Sequence, residues 1–350
     1  MIAERTTPTA GEWPAEDLEE VLRCPVCASP YRTTLYTDLR DRLFGCPGRW
    51  TLRRCDSCGS VYLDPRPTPD SIGRAYEHYY THQITEREDV SRLGFLRRIR
   101  RSLANGYLNR RFGADYRPAS RLGGLAFAFV PGMRHALDAL GRHLPHPWPG
   151  ARLLDIGCGN GDFLDLARRS GWRVTGVELD PAATKLARDR GLEVFQGTID
   201  ALPRGAGTFD VITLSHVIEH VHDPVGLLAR CRELLRSGGW LWIDTPNLES
   251  FGYGRFGAHW RGLEPPRHLV LFTKRSLLRA LHEAGFTHVR PMPWRPVAAW
   301  TFPVSAGIGA RGTYKDGDPL SASARILGLV VDLRSWRDER RREFLTVTAQ

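Results

Sequence analysis

The sequence reads as an α/β protein: a doubly wound, mainly parallel sheet with a small cysteine-bearing lobe in front of it. Three observations point there. From about residue 150, short apolar runs alternate with helical stretches. One of these runs leads into a turn with glycines at alternate positions, Gly157, Gly159 and Gly161. Near the N-terminus, Cys24-Pro-Val-Cys27 and Cys55-Asp-Ser-Cys58 repeat one Cys-x-x-Cys spacing.

The strand Leu153-Leu154-Asp155-Ile156 opens the core, and a helix starts after Gly161. Glycines there let a backbone press against a nucleotide-type ligand, because a Cβ would block the approach and resist the turn. Their spacing, Gly-x-Gly-x-Gly, departs from the dinucleotide fingerprint Gly-x-Gly-x-x-Gly, which argues against an NAD-type domain. A second strand, Arg173 to Val177, ends in Glu178, a carboxylate able to accept both hydroxyls of a ribose. Asp180-Pro181 opens the next helix. A third strand, Leu192 to Phe195, precedes Ile199-Asp200, and a fourth, Phe209 to Leu214, runs into Ser215-His216-Val217-Ile218-Glu219-His220. Gly238 to Asp244 is the fifth. Glu343 to Thr348 reads as an antiparallel closing strand, and Lys274–Ala284 and Ala322–Arg342 read as helices.

That succession, from Pro149 to Asn247, resembles the class I methyltransferases that use S-adenosylmethionine. The resemblance implies a Rossmann-like, seven-stranded methyltransferase sheet. It also implies that Asp155, Gly157 and Gly159 line the methionine end of the cofactor, that Glu178 holds its ribose, and that Ile199 and Asp200 flank its adenine. Gly161, Cys158, Leu179 and Ser215 complete the implied cofactor set, with Cys158 expected as a small buried residue without chemistry.

The two cysteine pairs supply four thiolates, which suit tetrahedral zinc. The intervening stretch, longer than is usual for the pattern, leaves room for a hairpin. Disulfides or a redox motif are the alternatives. Cys24, Cys27, Cys55 and Cys58 would fill the coordination sphere, so the zinc would be structural. Cys46 is left as a free thiol and Cys231 as core. The lobe and the tyrosines that follow it, Tyr76, Tyr79 and Tyr80, resemble the zinc-binding methyltransferases of sugars and natural products. In that resemblance the lobe helps cover the active site. The tyrosines are pocket candidates, or equally a packed helix face.

The formal charge is +10, and the segment from Arg92 to Arg121 holds nine arginines against one acid, Asp115. Leu96, Ile99, Leu103 and Tyr107 recur through it at helical spacing. An anionic membrane surface, a phosphate-bearing or RNA substrate, and a plain helical insertion all fit. RNA is the weakest, since Ser215-His216-Val217-Ile218 stands where base amino-group methylation needs an Asn/Asp/Ser-Pro-Pro-aromatic run. The N-terminus shows no apolar secretory core and Leu122 to Met133 is too short to span a bilayer, so a cytoplasmic protein is expected.

Methyl transfer needs an oriented nucleophile and often a base. His220, oriented by Glu219, is the leading base, followed by His216 and His222; His268, in a segment that would close over the acceptor, is another candidate. His216-x-x-Glu219-His220 also matches a zinc-peptidase pattern, which its place at a strand end argues against. A related quinone-biosynthesis group carries Glu-x-x-Glu-His here with a divalent metal. His216 stands where that first Glu would be.

The expected organisation is a disordered N-terminus over 1–19, a zinc-ribbon lobe over 20–64, a helical basic linker or lid over 65–148, and the cofactor-binding core with substrate-side insertions over 149–350. The expected activity is O- or C-methylation of a small molecule: a sugar, a secondary metabolite or a lipid-linked intermediate. An RNA methyltransferase and a scaffold that has lost catalysis are the competing readings.

Overall fold

A computed structural model describes residues 12–77 and 94–350. Tyr79, Tyr80 and Arg92 lie outside the described residues. The N-terminal lobe holds β1 (Leu18–Glu19), β2 (Arg32–Leu39), β3 (Trp50–Cys55), β4 (Val61–Leu63) and β5 (Arg66–Pro67). β2, β3 and β4 form an antiparallel meander, and β1 pairs with β5. The disorder expected over 1–19 does not extend across 12–19. Trp13 is buried edge-on against Trp50 at 5.5 Å between ring centroids, burial that outweighs the polar composition around it.

Three helices follow: α1 (Phe95–Phe112), α2 (Gly123–Ala128) and α3 (Pro131–Leu140). The apolar stripe of α1 is buried only at its C-terminal end. Tyr107 sits in the core, its hydroxyl donating to Asp138, while Leu96 is 78% exposed.

The main sheet has seven strands. β6 (Arg152–Ile156), β7 (Arg173–Glu178), β8 (Val194–Gln196), β9 (Phe209–Ser215) and β10 (Leu235–Pro246) run parallel. Helices α4 (Asp162–Arg169), α5 (Pro181–Asp189) and α6 (Pro224–Leu234) connect them. Asp180 caps α5 by accepting the Ala182 N–H, with Pro181 at the first helical position, where its missing N–H costs nothing. After α7 (Phe251–Phe256) comes β11 (Val270–Leu271), then α8 (Lys274–Glu283), β12 (Val289–Pro291), α9 (Ala298–Arg311), α10 (Ala322–Ser335) and β13 (Phe344–Ala349). The strand order is β12-β13-β10-β9-β6-β7-β8, with β13 antiparallel to both neighbours. Near-continuous burial of β6, β9 and β10 fits strands covered on both faces.

β11 does not join that sheet. It pairs with β4, so a strand encoded some 200 residues later completes the N-terminal lobe. The lobe and the main body thus share one four-stranded sheet and one apolar core.

Candidate active site

The cofactor edge is built by the turn after β6. Gly157, Gly159 and Gly161 all have positive φ, +68°, +54° and +82°. A Cβ on Gly157 would lie 2.5 Å from Val217, and one on Gly161 would lie 2.4 Å from Leu192. A Cβ on Gly159 would meet nothing within 4 Å, so this glycine faces open space. Glu178, at the end of β7, accepts the Gly159 N–H (2.7 Å) and the Asp180 N–H (2.9 Å), tying the turn to the second strand. Burial raises its carboxyl above the usual range.

Asp155 is wholly buried and does not stand open to the cleft. One oxygen is engaged by Arg142 and by the Thr213 hydroxyl; the other has no hydrogen-bond partner among the described residues. Arg142 has φ +47° and stacks 3.8 Å from the Phe163 ring centroid. Cys158 and Ile199 are buried, Ser215 half-buried, Leu179 and Asp200 exposed. Burial pushes the Cys158 thiol well up, which leaves it an inert neutral group. An open glycine cradle and a carboxylate at the second strand end fit S-adenosylmethionine.

Beyond β9 the predicted bases separate into different environments. His216, at φ +53°, lies between Glu219 (Nδ1 to Oε1, 3.2 Å) and Asp244 (Nε2 to Oδ2, 3.3 Å). Burial opposes its charge, but the two carboxylates win and raise its pKa to about 9. It is a fixed imidazolium at neutral pH. Glu219 accepts from His216 and from the Thr245 hydroxyl (2.9 Å), so its hydrogen bonds do not go to the His220 ring as expected. Asp244 also holds Arg295 and Thr346. Against the cost of burial, Arg295 and His216 keep its carboxyl at about 2.

His220 is oriented instead by the Arg267 carbonyl (3.1 Å) and the Tyr76 hydroxyl (2.9 Å), both at Nδ1. Burial, helped by neighbouring His268, lowers its pKa to about 4. His268 donates from Nδ1 to the Gly262 carbonyl (2.8 Å) and packs edge-on against His220, 4.7 Å between ring centroids. His222 donates from Nε2 to the Pro67 carbonyl (2.9 Å), a link between lobe and body. Glu219, His220 and His268 each offer one donor atom within 4.8 Å of the others, a convergence that spacing alone did not reveal for His268.

The four lobe cysteines converge as predicted. Their sulfurs lie within 4.8 Å of one another, with Cys24 to Cys58 at 3.6 Å and Cys27 to Cys55 at 3.5 Å. A tetrahedral ion with bonds of about 2.3 Å spaces its sulfurs by about 3.8 Å. The thiols therefore fit zinc and are not in disulfides. Cys46 remains outside the cluster and Cys231 is core.

Sequence reasoning missed Arg142, Asp41, Arg267, Glu264, Asp244 and Arg295. Only Arg267 carried a signal, standing beside His268 in a run rich in polar groups.

The fold and the glycine edge define a class I enzyme that binds S-adenosylmethionine. Comparison with known proteins agrees: the methyltransferase-domain family matches residues 127–290. A ubiquinone biosynthesis O-methyltransferase of Xanthomonas campestris pv. campestris (strain B100) is 30% identical over 168 residues, 42% of this chain and 69% of its own length. Another so named, from Methylocella silvestris, is 33% identical over 164 residues, 41% of this chain and 64% of its own. A solved SAM-dependent methyltransferase from Archaeoglobus fulgidus superposes with TM-score 0.42 at 21% identity, covering 66% of this chain and 94% of that one. The chain belongs to the class I S-adenosylmethionine-dependent methyltransferases.

Proposed function

We propose that this enzyme methylates a hydroxyl oxygen of a small molecule, with His220 Nε2 as the general base. The observation that carries the reading is the His220 ring, neutral at physiological pH and held through Nδ1 at the carboxyl edge of the sheet. S-adenosylmethionine supplies the electrophilic methyl carbon. Gly159 and Glu178 receive the cofactor, and His220 takes the proton from the acceptor. Tyr76, His268 and Arg267 surround His220 and narrow access for water. The names of the similar proteins, O-methyltransferases, favour oxygen over carbon. On α10 and its C-cap a run of exposed apolar side chains, Ile326, Leu329, Leu333 and Trp336, keeps a lipid-linked acceptor within the class. We also propose that Cys24, Cys27, Cys55 and Cys58 hold one structural zinc.

The test is transfer of radiolabelled methyl to a panel comprising a catechol, a nucleotide sugar and a lipid-linked phenol. On any acceptor that turns over, His220→Gln should lower kcat by roughly 10²- to 10⁴-fold and leave cofactor affinity unchanged. Because His220 is held near pH 4, the acid limb of the wild-type rate should lie well below the ordinary histidine range. Full activity in His220→Gln would sink the assignment.

A further inference from the structure

The orientation of His220 is set from the other end of the chain. Its Nδ1 stands 3.1 Å from the Arg267 carbonyl. A carbonyl only accepts, so Nδ1 carries the proton and Nε2 keeps its lone pair. The Tyr76 oxygen, 2.9 Å from the same nitrogen, shares that hydrogen. The tautomer therefore depends on where the Arg267 peptide sits.

That peptide is held by its own N–H, which His268 donates to the Glu264 carbonyl (3.1 Å), and is anchored further by the Arg267 side chain. The Arg267 guanidinium is completely buried. Nη1 donates to Asp41 Oδ2 (2.9 Å) and to the Ala75 carbonyl (3.0 Å), Nη2 lies 2.9 Å from Asp41 Oδ1, and Nε donates to Glu264 (3.1 Å). The Phe44 ring lies under it, 4.5 Å from the guanidinium carbon to the ring centroid. Asp41 thus meets Arg267 with both oxygens as a fork, one prong a hydrogen bond from Nη1 and the other an ionic contact with Nη2. The same carboxylate accepts the N–H groups of Leu43 (3.0 Å), Phe44 (3.1 Å) and Cys46 (2.9 Å), which folds the loop between β2 and β3. The loop meets the acceptor-side segment across a cleft lined by Leu39, Leu43, Trp260 and Glu264 among others.

The fork is not the lobe's sole link to the body. The β4–β11 pairing and the Arg66 bond to the His222 carbonyl (2.9 Å) already join lobe to body. What the fork adds is a rigid path from Asp41 through Arg267 to one ring nitrogen of His220. We propose that Asp41 is a positioning residue for methyl transfer: it fixes the Arg267 carbonyl that holds His220 as the Nδ1–H tautomer, leaving Nε2 to accept the proton. This rests on His220 being the base.

The experiment is ¹⁵N-histidine NMR of the full chain at about pH 7.5, with the His220 signals assigned by their loss in His220→Gln. In the wild type His220 should show a protonated Nδ1 and a bare Nε2. Asp41→Asn should populate the Nε2–H form several-fold more, while zinc content and calorimetric S-adenosylmethionine affinity stay within twofold. Arg267→Lys keeps the charge but loses the fork, and should shift the tautomer the same way if Asp41→Asn fails to fold. An unchanged His220 tautomer in a folded variant of either kind overturns the proposal. Full turnover in His220→Gln would instead overturn the base reading, which the tautomer measurement does not touch.

Discussion

The cofactor edge and the proposed acceptor side of this enzyme are assembled in opposite ways. The cofactor edge comes from one continuous stretch, in which β6, its glycine turn, β7 and the start of α5 place Gly159 and Glu178 within a hydrogen bond of each other, 19 residues apart. The acceptor side is drawn from the N-terminal lobe, the turn after β9 and the segment before β11. Its contacts join residues far apart in the chain: Tyr76 to His220, 144 positions away, and Asp41 to Arg267, 226 away. A local turn is specified by the residues in it, whereas a pocket closed by distant segments is specified by the packing that brings them together.

If the two halves are separable, damage to one should spare the other. The largest effect is expected for Gly159→Val. Its φ of +54° resists a β-branched side chain, and the new methyls would fill the open cradle. Cofactor affinity by calorimetry should fall by about 100-fold or more, with zinc content intact. Retained affinity would mean that the glycine cradle is not where the cofactor binds.

The opposite lesion is loss of the zinc proposed for the lobe. Cys55→Ser, or treatment with a strong chelator, should remove about one zinc per chain and lower the melting midpoint by on the order of 10 °C. Turnover should collapse because β11, Tyr76 and the Asp41 fork lose their support. Cofactor binding should persist. If both functions vanish together, the halves form one cooperative unit and the contrast fails.

The same contrast governs what was legible in the sequence. The parallel strands, the glycine turn and Glu178 could be read because short apolar runs and turn chemistry are local. The four cysteines could be read because paired spacing places thiols on a knuckle whatever surrounds them. The insertion of β11 into the lobe sheet could not, since Val270–Leu271 is a two-residue strand whose partner lies far upstream. Nor could the partners of the histidines. His216, Glu219 and His220 look interchangeable as a string, yet one is a salt-bridged cation, one its counter-ion and one a neutral ring, because Asp244 and Arg267 arrive from elsewhere.

His216 stands where the halves meet, and it offers the smallest and sharpest test. Its folded pKa of about 9 exceeds the unfolded value of about 6.5, so the folded state binds the extra proton between them. The stabilisation is complete below about pH 6.5 and is lost as pH rises through 9. His216→Asn keeps a residue that tolerates positive φ but cannot carry the charge. Urea midpoints measured across pH 6 to 9.5 should fall more steeply with pH for the wild type than for the variant. Part of the gain is screened by solvent, because the side chain is about one-third exposed. Parallel curves would mean that Asp244 and Glu219 are balanced by Arg295 and Thr245 without help from a charged His216. The imidazolium would then be dispensable to the junction, and the two halves would be joined by packing alone.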